Sequence, residues 1–428
     1  MSVFKIIPTT QEYDWGKTGK NSKVAQLATA AGLPGFELDE KTSYAELWMG
    51  THSKSPSMLT QDGGQLADYL KAHPELIGDP IIQRFDASNG NLPFLFKVLS
   101  IEKALSIQSH PDKRTAEVLH VKHPEIYKDP NHKPEMTLAI TPFRALCGFR
   151  PLPEIANFLQ LVPELASLIP ATVLQTFLST ASSKTPGSQT EKIALKNVFA
   201  AVMTAPELEF NHQLRLLISR YKGGGAKVAE GESQDLVDLV LRLHSQFPGD
   251  IGLFCPFLLN DITLRPGEAI YLGAGEPHAY VYGDCMECMA NSDNVIRAGL
   301  TPKLRDVPNL VATLTYNSSK ASKHFVDPQP FDKESKFSTL YNPPIPEFAV
   351  IKVDVPATEL ERHQKLGGPS IMVVTEGKGR IQWNLEGQEQ TLDVGLGDVS
   401  FVGAETEISI QARDHKLVVY RAFVEVKQ

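Results

Sequence analysis

Cysteine is scarce in this chain. Cys147, Cys255, Cys285 and Cys288 are the only four in 428 residues, too few for a disulfide framework to hold a fold of this length. Cys285-Met-Glu-Cys288 has the C-x-x-C form, but it has no partner pair and no βαβ setting. The two thiols are therefore read as packed core groups. Net basic charge is also absent: 42 Lys and Arg stand against 50 Asp and Glu, a formal charge of −8. That balance argues against a general nucleic-acid binder. A small anionic substrate stays open, because a pocket needs only a few local cations. No run of about 18 apolar residues occurs, so no membrane span is expected. The opening Met-Ser-Val-Phe-Lys-Ile-Ile-Pro lacks the apolar stretch of a signal peptide, and the expected location is the cytoplasm.

What is present is an ordinary globular composition, 42% hydrophobic and 21% charged, in a chain long enough for two or three domains. Residues 3–8 read as a short strand. In Ala45–His52 a period of two puts Glu46, Trp48 and His52 on one face; His52 alone is read as simply hydrogen-bonded. Leu66–Leu76 has the helical period, 92–107 is apolar and strand-like, and 114–120 is a turn or two of helix. Met136–Ile140 and Phe143–Phe149 resume the strand pattern. From Pro151 apolar residues recur every three or four positions over 153–180 and 191–221, as in buried helices. Ser233 is placed to cap a further helix with Leu236, Leu239, Val240, Leu243 and Phe247 on one side. Lys222–Ser233, rich in glycine, reads as a mobile loop. Strand character returns at Leu253, and Ile371–Trp383 reads as a hairpin turning at glycine.

The chemistry concentrates at residues 107–135. Gln108, His110 and Glu135 offer two oxygen donors and an imidazole, a mixed set that suits a borderline cation such as zinc. Gln-x-His puts both side chains on one face of a strand. Gly275-Glu-Pro-His-Ala-Tyr280 supplies a second histidine, His278, in a similar setting.

The spacing of Gly267, Gly273, Gly275 and His278 resembles the second motif of cupins, and Gln108-x-His110 with Glu135 resembles a stretched first motif. Gly397–Ile408 repeats the offsets with Ile408 in the histidine slot, so the C-terminal part resembles a second copy that holds no metal. Tyr127-Lys-Asp-Pro-Asn-His-Lys-Pro-Glu135 and His278–Lys303 together resemble the two signatures of type I phosphomannose isomerases. Tyr13-Asp-Trp-Gly16, Glu46–His52 and Gln108–Lys113 extend that resemblance over the whole chain.

The resemblance implies a mainly β fold of two cupin-like jelly-roll barrels with an α-helical insertion. Residues 1–150 with 251–325 would form the catalytic barrel, 151–250 the helical domain and 326–428 the metal-free barrel. It implies a monomeric zinc-dependent aldose–ketose isomerase of mannose 6-phosphate and fructose 6-phosphate, supplying GDP-mannose synthesis. One zinc per chain would sit on Gln108, His110, Glu135 and His278. Proton carriers and charge stabilisers would come from Arg297, Glu287, Lys133 and Tyr280, and substrate contacts from Ser109, Lys303, Trp15 and Lys97. His132 would orient its neighbours. Two rivals stay open from the residues themselves: a non-catalytic bicupin that binds sugar or stores metal, and an iron-dependent cupin dioxygenase. The glutamine ligand counts against iron, and the Lys133, Glu287 and Arg297 set counts against storage.

Overall fold

Thirteen consecutive residues, His278–Ala290, make the longest strand and organise the sheet that carries the site. Its first half pairs with Phe143–Phe149, while its second half pairs with both Phe94–Ile101 and Glu135–Ala139. The change of partners falls at Gly283, whose φ is +119°. A Cβ there would stand 2.6 Å from Pro142 O, so only glycine lets the strand bend against its neighbour. The computed structural model describes residues 1–182, 185–223 and 232–426. Most of the glycine-rich stretch expected to form a loop at 222–233 lies outside the described residues.

The sheet around this strand has ten members, running from Leu259–Leu264 through Phe143–Phe149, His278–Ala290, Phe94–Ile101 and Glu46–Met49 to Thr9–Gln11. Phe94–Ile101 is buried at every position, which is why its sequence shows an apolar run rather than an alternation. Ile107–Ser109 is inserted between His278 and the Ile296–Gly299 strand.

The middle of the chain is helical, as its periodicity predicts. Ser233 caps Gln234–Gln246 by accepting the N–H of Leu236. The stretch read as helical over 191–221 is divided, however, into Gln189–Met203 and Glu207–Lys222. Pro206 stands at the N-cap of the second helix, and a proline favours the start of a helix over its interior. Strand character returns at Leu259, not Leu253: Ile251–Phe257 is a 3-10 stretch containing Pro256, which has no N–H for a ladder. The helical core is continuous with the sheet, since Phe149, Val281, Ile296, Ala298 and Leu300 belong to the same buried cluster as the helices.

Two further sheets of eight and four strands build the C-terminal part. Here the expected hairpin at 371–383 is not formed. Ser370–Glu376 pairs with Val399–Val402 and Leu417–Phe423, whereas Lys378–Leu385 pairs with Gln388–Gly395 and Ile408–Ala412 in the other sheet. Gly377, with φ of +81°, passes the chain between the sheets instead of folding it back. Val3–Ile7 also joins the eight-stranded sheet, against Val399–Val402, although it belongs to the part of the sequence read with the first barrel. Ile408 is buried in an apolar cluster. Its partner across the ladder is His363, whose Nδ1 accepts from Arg421 at 2.9 Å and whose Nε2 meets Ser338 Oγ at 2.8 Å. A guanidinium occupying the imidazole lone pair leaves no donor there for a cation.

Candidate functional site

Register places the donors. In the ladder Gln108 lies opposite His278 on one side and opposite Arg297 on the other. His110 follows two residues on, and Glu135 opens the strand that pairs with Met289. The ring nitrogens are then fixed by backbone carbonyls: His110 Nδ1 is 2.6 Å from Asn294 O, and His278 Nδ1 is 2.9 Å from Glu276 O. A carbonyl only accepts, so each Nδ1 carries a proton and, in the neutral ring, each Nε2 presents a lone pair. Burial pushes the pKa of His110 down to about 4 against the pull of Glu135, which keeps that ring neutral near pH 7.

Both Nε2 atoms are buried without a hydrogen-bond partner. They face Glu135, at 3.3 Å from Oε1 for His110 and 3.4 Å from Oε2 for His278. Two lone pairs aimed at a carboxylate repel it unless a cation stands among them. Their donor atoms lie within 4.8 Å of one another, and this is the one such His/Cys/Asp/Glu group among the described residues. With the Gln108 side chain alongside, two nitrogens and two oxygens fit a zinc ion.

Glu135 is held from both ends. Lys133 Nζ is 2.8 Å from Oε1, and the Tyr280 hydroxyl donates to Oε2 at 3.2 Å while accepting from Thr137 at 2.6 Å. Burial pushes the Glu135 carboxyl up, but the Lys133 ammonium outweighs it and holds it well below the usual carboxylate range. Burial first, then Glu135 and Glu287, raise the Tyr280 phenol well above its ordinary value, so it stays a donor.

The donors adjoin an open pocket of about 400 Å³. Deep in it, Lys97 Nζ lies 3.0 Å from Glu287, 3.7 Å from Glu46 and 4.8 Å over the Trp48 ring. Burial acts to lower the Lys97 pKa, yet the two glutamates more than reverse it, so the ammonium persists. Burial raises the Glu287 carboxyl against the pull of Lys97. Beside them Asp293 meets Lys54 at 2.7 Å and His52 at 3.5 Å. Burial opposes those contacts, but they keep the Asp293 carboxyl far below its usual range. Arg297 and Lys303 also line the pocket. Among the described residues neither cation has an ion pair, and Arg297 is half-buried with burial alone lowering its pKa.

The pocket brings together most of the residues expected from the sequence: Gln108, Glu135, Lys133, Glu287, Arg297, Lys303, Trp15 and Lys97 all line it. His110 and His278 are fully buried beside Glu135. Ser109 is not brought in. Its hydroxyl is buried without a partner, because strand alternation turns it away from the face shared by Gln108 and His110. Ser106, two residues before Gln108 on that face, lines the pocket instead. Tyr280 lies behind Glu135 rather than on the pocket wall. His132 points elsewhere, toward Glu347 at 2.5 Å. Glu46, Trp48, His52 and Asp293 also line the pocket. The shared face of Glu46, Trp48 and His52 was the signal for three of them; nothing local marks Asp293.

Three family models match the chain. Phosphomannose isomerase type I, catalytic domain, covers residues 3–152, its helical insertion domain 168–259 and its C-terminal part 338–383. The mannose-6-phosphate isomerase of Cryptococcus neoformans is 46% identical, with 99% of each chain covered. That of Saccharomyces cerevisiae is 44% identical, again with 99% of each covered. Among solved structures, a mannose 6-phosphate isomerase bound with zinc and yttrium is similar over all of both chains, with a TM-score of 0.79 and 32% identity.

Proposed function

The chain belongs to the type I phosphomannose isomerase family and is an isomerase of mannose 6-phosphate; on that premise we propose how its residues do the work. One zinc is held by Gln108, His110, Glu135 and His278, and the ketose partner is fructose 6-phosphate. The observation that carries this reading is the pair of unpartnered Nε2 atoms facing Glu135. When bound, the metal supplies electrophilic polarisation of the carbonyl and its neighbouring hydroxyl.

The rest falls to side chains. By way of an enediol, moving the carbonyl from C1 to C2 takes a proton from C2 and returns it to C1 while the C2 hydroxyl proton passes to the C1 oxygen, and the carbon-bound proton needs a carrier. Glu287 suits this, because burial raises its carboxyl toward the working range of a general base and Lys97 fixes its orientation at 3.0 Å. Asp293 is the poorer base, since His52 and Lys54 hold it far down. Lys133 and Tyr280 keep Glu135 aimed at the metal position. Arg297 and Lys303, unpaired at the same pocket, receive the dianionic phosphate, with the Ser106 hydroxyl taking the part expected of Ser109. Trp15 walls the pocket beside them.

Purified protein given mannose 6-phosphate should form the ketose, stop on chelation and resume with zinc. Glu287→Gln should keep its zinc and lose roughly 10²–10⁴-fold in kcat, the usual reach of general acid–base catalysis. Ketose formation unaffected by a chelator that strips the metal would end the zinc reading, and an unchanged kcat would remove Glu287 as base. The aldose phosphate made in the reverse direction would supply GDP-mannose synthesis; cells without the chain should then have a depleted GDP-mannose pool, and an undiminished pool would refute that supply.

A further inference from the structure

We propose that the end of the helical insertion, from Arg242 to Asp250, is a positioning device for phosphate recognition, and that Asp250 is its central residue. The proposal rests on the reading that Arg297 and Lys303 receive the substrate phosphate.

The Asp250 carboxylate gathers three backbone donors. Oδ1 accepts from Gly252 at 2.7 Å and from Leu300 at 2.7 Å, and Oδ2 accepts from Thr301 at 3.1 Å. Leu300 has φ of +53°, the left-handed region that a leucine avoids. It sits where the chain leaves the Ile296–Gly299 strand and turns toward Lys303. The approach is close: a Cβ on Gly299 would be 2.6 Å from Gly252 Cα and 2.9 Å from Asp250 Oδ1. An unfavourable turn is thus held by charge-assisted hydrogen bonds from one side chain, with Arg297 three residues before it and Lys303 three residues after.

The same end of the insertion grips the facing loop. Arg242 and Gln246 donate to Glu102 O at 2.7 and 3.4 Å, and Gln246 accepts from the Ala104 N–H at 3.0 Å. Phe247 carries the Lys103 ammonium at 4.8 Å from its ring centroid. Both loops line the pocket, through Lys103 and Ser106 on one side and Thr301 and Lys303 on the other. The spacing of two cation-bearing loops is therefore set by the end of the Gln234–Gln246 helix and the turn that follows it to Asp250, which lie outside the sheet holding the proposed metal donors. Phosphate fit depends on that spacing, whereas zinc binding and the Glu287 position depend on the ladder.

The test is Asp250→Asn in the full-length zinc enzyme, with Lys303→Ala beside it. An amide turns an N–H toward the Thr301 N–H and removes the charge. The KM for mannose 6-phosphate and the inhibition constant of inorganic phosphate should both rise roughly tenfold, the scale of one charge-assisted hydrogen bond, while kcat moves less than about twofold. Zinc content should stay full. A purely structural role would lower yield and melting temperature but leave KM and phosphate inhibition of the active fraction unchanged, and that result overturns the proposal. Where Asp250→Asn does not fold, Asp250→Glu, with the charge kept and the oxygens displaced by one methylene, should show the same rises. If Lys303→Ala weakens phosphate and the Asp250 variants do not, positioning fails alone. If Lys303→Ala changes nothing, the phosphate assignment fails and takes the proposal with it.

Discussion

His278→Ala should leave a folded protein that has lost its zinc and its isomerase activity together. His278 is fully buried, its Nδ1 proton is bound to Glu276 O, and its Nε2 has no hydrogen-bond partner and faces Glu135 Oε2 at 3.4 Å. Removing it takes away one of two nitrogen donors and leaves Glu135 facing a void. Disturbing a group that merely orients a ligand costs about 10–100-fold in metal affinity, so deleting the ligand itself should cost more than about 100-fold. Metal content after dialysis should fall with the loss of ketose formation. The strand persists, because His278 begins a 13-residue segment paired along both sides, and circular dichroism should show an unchanged sheet signal. Zinc retained at wild-type stoichiometry would show that His278 is not a ligand.

Arg297→Ala should cost on the order of 2–4 kcal/mol of transition-state stabilisation, about what the loss of one oxyanion donor costs. On the proposed reading, the site gathers a dianionic phosphate and the negative charge that develops on the sugar oxygens, beside a metal whose charge Glu135 would partly neutralise. A guanidinium keeps its proton throughout, and Arg297 has no carboxylate partner among the described residues to offset it. Its strand register with Gln108 holds it beside the proposed metal donors. Arg297→Lys keeps the charge without the planar fork, so it should lower kcat more than it weakens zinc. Steady-state kinetics and metal analysis on both variants check this. Near-normal turnover in Arg297→Ala, or outright unfolding, would make Arg297 a structural residue.

Period two put Gln108 and His110 on one strand face, but the full donor set was named on the resemblance to type I phosphomannose isomerases; of its members the fold gathers His110, Glu135 and His278 into one cluster. What was not legible is which strands become neighbours. The register that sets Gln108 between His278 and Arg297 joins segments far apart in the chain, and nothing local in any of them specifies the others. The same limit explains the hairpin at 371–383. Two apolar strands around a glycine fit a hairpin and a sheet crossing equally well, and only the partners available in the fold decide for the crossing. The resemblance implied Ser109 as a substrate contact, but strand alternation turns its hydroxyl to the face opposite Gln108 and His110, and Ser106 lines the pocket instead. Lys97 was expected at the substrate. The structure adds that it is pinned between Glu46 and Glu287, a pairing across strands that no spacing along the chain could show.

On the proposed reading, two imidazoles and oxygen donors, not thiols, hold one zinc at the head of this pocket. All four cysteines are buried and unpaired, and none lies in the donor cluster. Zinc-edge X-ray absorption on the purified protein, with metal content measured on the same sample, tests it most directly. One zinc per chain, imidazole back-scattering, and a first shell of nitrogen and oxygen at about 2.0–2.2 Å are expected. Sulfur in the first shell at about 2.3 Å, or two tightly held zinc ions per chain, would contradict it.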